Sequence, residues 1–298
     1  MEPPERTQPV TSIASGASSD EIAPVISEDE ALVNAEFQRR HWVDRTVEDR
    51  WFETFAAMRE KEVSRPFFHF DSMEVYCNYR KKVTDWIFEL IEVLGFQRLT
   101  AHLSIHYFDV VLNKVSVSKN RLQLVAAISF LIAAKMEEDE SLVPTLSDMA
   151  HFCNNLYTFD MLSRMELLIL KTMDFSLCAV LPLHFLEFYL EILAETEPAG
   201  RTLVEWSRWF VDLSVTVYSL CAYPPSVIAA ACLAAARSRT GLTPPLPTVL
   251  FSWLQWSAQE QEQVEACLTE LANVYDKSSQ QHQLQASPNT IHGAFQQP

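Results

Sequence analysis

His102 and His106 stand four residues apart, so on a helix their imidazoles share one face, a spacing from which a zinc site can be built. No third ligand lies nearby and the H-E-x-x-H pattern is absent, so two core histidines is the better reading. The acidic run Glu137-Glu138-Asp139-Glu140 lacks the alternating oxygen ligands and the turn glycine of a calcium loop. It reads as a solvated helix end that could face a basic patch on a partner. The six cysteines, at 77, 153, 178, 221, 232 and 267, form no C-x-x-C pair, and several sit in apolar stretches where cysteine packs as a small hydrophobe. There is no G-x-S-x-G elbow. The five glycines, at 16, 95, 200, 241 and 293, are too scattered for any glycine-rich phosphate cradle. Reactive residue types are present without the spacing that makes them react. The chain is therefore expected not to be an enzyme and to need no metal or other cofactor.

Charge narrows the classes further. Lys and Arg number 23 against 39 for Asp and Glu, a net charge of −16, the wrong sign for a protein that gains affinity by neutralising phosphates. Direct nucleic-acid binding is not expected. The longest apolar runs, such as Val227 to Ala236, fall short of the roughly 20 residues that span a bilayer. The chain opens Met1-Glu2-Pro3-Pro4-Glu5 rather than with a basic and then apolar segment. No membrane partner and an intracellular location, nucleus or cytoplasm, are the expectations. With 298 residues, 48% hydrophobic, the chain can bury one large core or two of about 100 to 150 residues each.

The elements that would carry these residues are helical almost throughout. Residues 1–35 hold Pro, Ser, Thr and acidic residues with no aromatic, and 277–298 are rich in Gln and Ser; both are read as disordered tails. Between them apolar residues recur at three- and four-residue steps, beginning with Val47, Trp51, Phe55 and Met58. Helices are expected at about Thr46 to Glu62, Ser72 to Leu94 (closed by Gly95), from Thr100 as N-cap, Arg121 to Lys135 and Phe159 to Met173. Thr145 with Asp148 resembles a capping box for a short helix between the last two. The helix from Arg121 to Lys135 has almost no polar face, which marks a central helix. A second such stretch, Val227 to Ala236, lies 103 residues after its counterpart, residue 227 against residue 124. Helices at about Leu183 to Leu193 and Leu203 to Cys221 precede it, and Pro224-Pro225 opens it. A short helix near Pro247 to Gln255 and a last one capped by Ser257 and Glu260 follow. The fold class is all-α: tandem five-helix units behind an extra N-terminal helix, divided as 40–176 and 177–276.

Four segments carry a resemblance to the cyclin family. Tyr79-Arg80-Lys81-Lys82-Val83-Thr84-Asp85-Trp86-Ile87 resembles the M-R-A-I-L-x-D-W-L opening of a cyclin box, and His102 to Asp109 resembles its second helix. Leu122-Gln-Leu-Val125 through Leu131 to Glu138 is similar to L-Q-L-V followed by L-L-A-S-K-F-E-E. Arg164-Met-Glu-Leu-Leu-Ile-Leu-Lys171 resembles the R-M-E-x-x-I-L of the fifth helix. The similarity is strong in the first box and weaker in the second.

The resemblance implies site residues. Arg80 and Asp109 would form an interhelical ion pair of structural importance. Lys135 and Glu166 match the charged pair that in cyclins meets a kinase at its regulatory helix, with Met136 in place of the usual Phe. Taken singly, a helix-end lysine and an exposed glutamate would explain them. The patch that recruits R-x-L substrates maps onto Tyr79, Lys82, Val83, Trp86 and Gln123 in a degenerate form: the Trp and Gln persist, while Lys82 puts an ammonium where an apolar wall belongs. The alternative at that position is a lysine stem lying along the surface with its head in water. The implied function is a regulatory subunit that binds and activates a cyclin-dependent protein kinase and brings it protein substrates. A cyclin-fold adaptor that binds without activating, and a transcription-factor-like twin repeat, are the alternatives; the −16 charge and unpaired cysteines count against the latter. R-x-x-L occurs at Arg121 to Leu124 and Arg164 to Leu167, both expected inside packed helices and unreadable by a degradation receptor.

Overall fold

The computed structural model describes residues 50–63, 74–196, 200–248, 250, 254 and 256–285. The tail expected at 1–35 lies outside the described residues, as do the part after 285 of the tail expected at 277–298 and the aromatic segment around Pro66. Among the described residues there is no strand.

Residues 50–63 form helix α1. The first bundle comprises α2 (Glu74–Leu94), α3 (Arg98–Lys114), α4 (Leu122–Glu137), α5 (Leu146–Phe152) and α6 (Phe159–Thr172). The second contains α7 (Pro182–Thr196), α8 (Arg201–Thr216), α9 (Pro225–Arg239) and the last helix, α10 (Ala258–Gln285). Thr248, Leu250 and Leu254 are helical positions of the short element expected between α9 and α10.

The central helices are those whose sequence leaves no polar face. In α4, Val125, Ala126, Ala127, Ile128, Phe130 and Ala133 are fully buried, and in α9 so are Ala229, Ala230, Ala231, Cys232, Leu233 and Ala236. Helix α4 packs against α2, α3, α5 and α6, and α9 against α7, α8 and α10. Alanine-rich sides let the neighbours of α9 approach closely, so its burial is a matter of fit as much as of apolar area. Helix α3 is also covered on both sides: every residue from Thr100 to Val111 is buried.

Boundaries follow local chemistry. Gly95 takes φ 70 beyond α2, the left-handed conformation that a residue with a Cβ adopts at a cost. Thr145 and Asp148 bond reciprocally to open α5, and Ser257 and Glu260 do the same at α10. Pro225 fills the first turn of α9, where no amide hydrogen is needed.

Three expected boundaries move. The helix expected from Leu203 to Cys221 ends at Thr216, and Cys221 falls in the 3-10 turn Tyr218–Ala222. Thr100 is not the N-cap of α3; Gln97 is, without a side-chain cap of its own, and Thr100 lies inside the first turn. Helix α10 runs past Lys277 to Gln285, because Lys, Gln and Leu propagate a helix at little cost once it is nucleated. The R-x-x-L at Arg164 also differs from expectation, since Leu167 is 48% exposed on the outer side of α6.

Candidate functional site

Of the expected side-chain groupings, the two ion pairs come together in space, and the third lies along α2 and at the start of α4. The deepest joins α2 to α3. Arg80 donates from Nε to Asp109 Oδ1 at 2.9 Å and from Nη2 to Oδ2 at 2.8 Å, with both side chains about 95% buried. This bidentate geometry is the strong form of a carboxylate pair. Nη2 also lies 3.5 Å from Cys221 Sγ in the short 3-10 turn after α8, so the pair touches the second bundle as well.

Beside it, the two histidines on α3 are core residues. His102 Nε2 lies 2.9 Å from Asp212 Oδ1 on α8, and Asp212 also accepts from Arg98. The imidazole is fully buried, and burial first, then the positive charge of Arg98 and the nearby His184, push its pKa down to about 3. It is therefore the neutral ring, donating Nε2–H to a carboxylate whose charge Arg98 neutralises. Among the described residues no cluster of His, Cys, Asp and Glu could hold a metal ion.

The second grouping lies on the outside. Lys135, in the last turn of α4, is ion-paired with Glu166 of α6. The lysine side chain is 47% exposed and the glutamate 19%, so the pair sits at the surface with one partner half-sheltered. Met136 is exposed next to it, and Leu142, Leu167 and Leu168 add further exposed apolar surface on the segment after α4 and on α6. At the C-terminal end of α6, Asp174 and Phe175 both take left-handed backbone, φ 52 and 56, and Phe175 is 63% exposed. The left-handed turn closes α6, with Asp174 N donating to Lys171 O at 3.1 Å and Phe175 N to Leu170 O at 2.9 Å, and it leaves the Phe175 ring as further exposed apolar surface.

The third grouping is the degenerate patch. Tyr79, Val83 and Trp86 are half-buried against the first core, Lys82 is exposed and Gln123 is half-buried at the start of α4. Lys82 lies along the Tyr79 ring, its Nζ 5.9 Å from the centroid.

Sequence reasoning missed several residues. Glu138, expected as part of a solvated helix end, accepts from Gln97 N at 2.8 Å and from Thr100 Oγ1, and so caps α3 from the end of α4. Glu62 of α1 accepts from Ser226 N at 2.6 Å and Ser226 Oγ at 3.0 Å in the first turn of α9, with Arg59 reaching Glu62, Ser226 and Glu260. Asp212 was not singled out either. The exposed leucines had a signal: Leu167-Leu168-Ile169-Leu170 holds more apolar residues than one buried helix face can use.

Two five-helix bundles in tandem, each threaded by a small-residue central helix, with a buried Arg–Asp pair closing the first, define a double cyclin fold. The models of the "Cyclin, N-terminal domain" and the "Cyclin, C-terminal domain" match residues 51–178 and 180–293. The chain belongs to the cyclin family. Among similar proteins are a Cyclin-D of Ostreococcus tauri, 32% identical over 62% of this chain and 54% of the relative, and Cyclin-J of Xenopus laevis, 29% identical over 65% and 54%. The chain thus spans about half the length of these curated relatives. A viral cyclin from herpesvirus saimiri shares the fold with a TM-score of 0.62 at 20% identity, covering 74% of this chain and 97% of its own. A chain in the yeast RNA Pol II CTD kinase CTDK-1 complex does so at 0.54 and 15%, covering 67% and 66%. Among the described residues no helix is long and apolar enough to cross a membrane.

Proposed function

We propose that this protein is a regulatory subunit that binds and activates a cyclin-dependent protein kinase, contributes no catalytic group, and acts inside the cell, in the nucleus or cytoplasm. The observation that carries the reading is the surface-held Lys135–Glu166 pair with exposed Met136 and Leu167 beside it. A structural role would not require apolar side chains in water around an ion pair; a partner helix laid across α4 and α6 would cover them. Family membership and the shared fold of a chain in a solved kinase complex support the same reading.

The mechanism would be positional. The end of α4 and the outer side of α6 press on the kinase's C helix, and the kinase's own Lys–Glu ion pair and activation loop settle in the active arrangement. Binding energy becomes a shift in the kinase's conformational population, with no bond made or broken by this chain.

Capture by a panel of recombinant cyclin-dependent kinases tests it. The variant with both Lys135→Ala and Glu166→Ala should lose capture by about 30-fold, the effect of about 2 kcal/mol at a desolvated contact. Its stability should change by about 1 kcal/mol or less, since an exposed pair contributes little. Undiminished capture by this variant rejects the site, and a kinase that is captured without gaining activity rejects the activating role.

A further inference from the structure

The degenerate patch and the turn beside it carry three exposed basic residues, Lys82, Lys119 and Arg121, on a chain of net charge −16. Tyr79, Lys82, Val83 and Trp86 follow one another along one side of α2 at three- and four-residue steps. From the 3-10 turn Lys119–Arg121, Lys119 brings its Nζ to 4.4 Å from the centroid of the Tyr79 ring, and Lys82 stands 5.9 Å from the same centroid. Two ammonium groups therefore share one aromatic ring. Arg121 is exposed at the end of the same turn. The neighbouring Lys81 does not add to the group, because Asp85 takes up its charge at 3.0 Å. No ion pair among the described residues involves Lys82, Lys119 or Arg121.

The ring quadrupole attracts each ammonium weakly, and the two repel each other. An anion bound beside these lysines would offset their like charge, whereas a guanidinium would add to it. The half-buried Val83 and Trp86 supply an apolar floor on the same side of the helix. We propose that this surface is a docking site for an acidic peptide segment, its carboxylates held by Lys82, Lys119 and Arg121 and an apolar neighbour seated on Val83 and Trp86. The patch is turned from the R-x-L chemistry that the family pattern implies to the opposite charge. The reading of the chain as a kinase regulatory subunit enters only in saying whose segment it is, a substrate of the bound kinase.

Fluorescence anisotropy on the full chain decides it without any kinase present. The probe is a labelled, unphosphorylated peptide of Asp and Glu flanking a single Leu, compared with an R-x-L peptide of equal length. The acidic peptide should bind, and its affinity should fall as ionic strength rises from about 0.01 M to about 0.15 M, where the screening length shrinks from about 30 Å to about 8 Å. Joint Lys82→Glu and Lys119→Glu substitution should weaken binding at least tenfold with an unchanged thermal midpoint, and kinase capture by this variant should match the parent protein. The proposal is overturned if the R-x-L peptide binds as well as the acidic one, if the charge-reversed variant keeps its affinity, or if binding appears only after the peptide is phosphorylated. Loss of the kinase reading would show separately, as absent capture by the parent protein.

Discussion

Arg80 and Asp109 show what a single buried pair contributes. Each charge has been taken from water, and the two hydrogen bonds between them, at 2.8 and 2.9 Å, compensate that loss. Removing one partner leaves the second charge stranded, so Arg80→Ala and Asp109→Ala should each destabilise by about 3 to 5 kcal/mol. Replacing both with apolar residues of similar volume, Arg80→Met with Asp109→Leu, should recover most of that loss. Urea denaturation of the three variants checks it, and a double variant no better than the singles would show that the pair's remaining contacts, such as Cys221, carry the effect. Lys135 and Glu166 are the opposite case: a pair of the same chemistry, half in water, whose loss the fold should barely register. Burial, not charge, separates the structural pair from the one proposed to meet a partner.

At the scale of the element, helix ends are capped in two ways, and the difference governs what could be read from sequence. Thr145 with Asp148 and Ser257 with Glu260 cap their own helices over three residues, so both were legible as short patterns. The caps on α3 and α9 come from carboxylates 41 and 164 residues away. No local pattern signals them: Thr100 resembles an N-cap in sequence, yet its hydroxyl donates to Glu138, 38 residues further on. The central helices were legible for the converse reason, since an all-apolar stretch has only one place to go. The candidate site is proposed from resemblance alone: Lys135 and Glu166 have no helix in common, and only packing α4 on α6 joins them. A carboxylate at a helix N-terminus also interacts with the helix dipole. Glu138→Ala should therefore cost about 0.5 to 2 kcal/mol, seen as a lower thermal midpoint with faster hydrogen exchange confined to the first turn of α3. Exchange unchanged in that turn would mean that water replaces the cap without loss.

At the scale of the whole molecule the two bundles meet along a seam where α2 and α3 contact α8. His102 is the titratable group at its centre, fully buried and bonded to Asp212, with Arg98 on the other carboxylate oxygen. In the unfolded chain it titrates near its ordinary 6.5, while the folded environment holds its pKa near 3. Between those values the unfolded state binds a proton that the folded state does not. The stabilisation is complete above pH 6.5 and is lost progressively as the pH falls toward 3. Each pH unit inside that window removes up to about 1.4 kcal/mol, so by pH 5 the loss should approach about 2 kcal/mol. His184, lowered by burial and then by Lys61, acts in the same direction, and Glu137, raised by burial and then by Glu138, acts in the opposite one. A difference measurement isolates His102 from both. His102→Gln keeps a donor for Asp212 and cannot titrate, so the stability gap between parent and variant should narrow as the pH is lowered from 7 to 5. A gap that widens as the pH falls would mean that the imidazole is charged in the folded protein, paired with Asp212 as an ion, so that a salt bridge rather than a neutral hydrogen bond holds the seam; a constant gap would mean that folding leaves the imidazole pKa near 6.5.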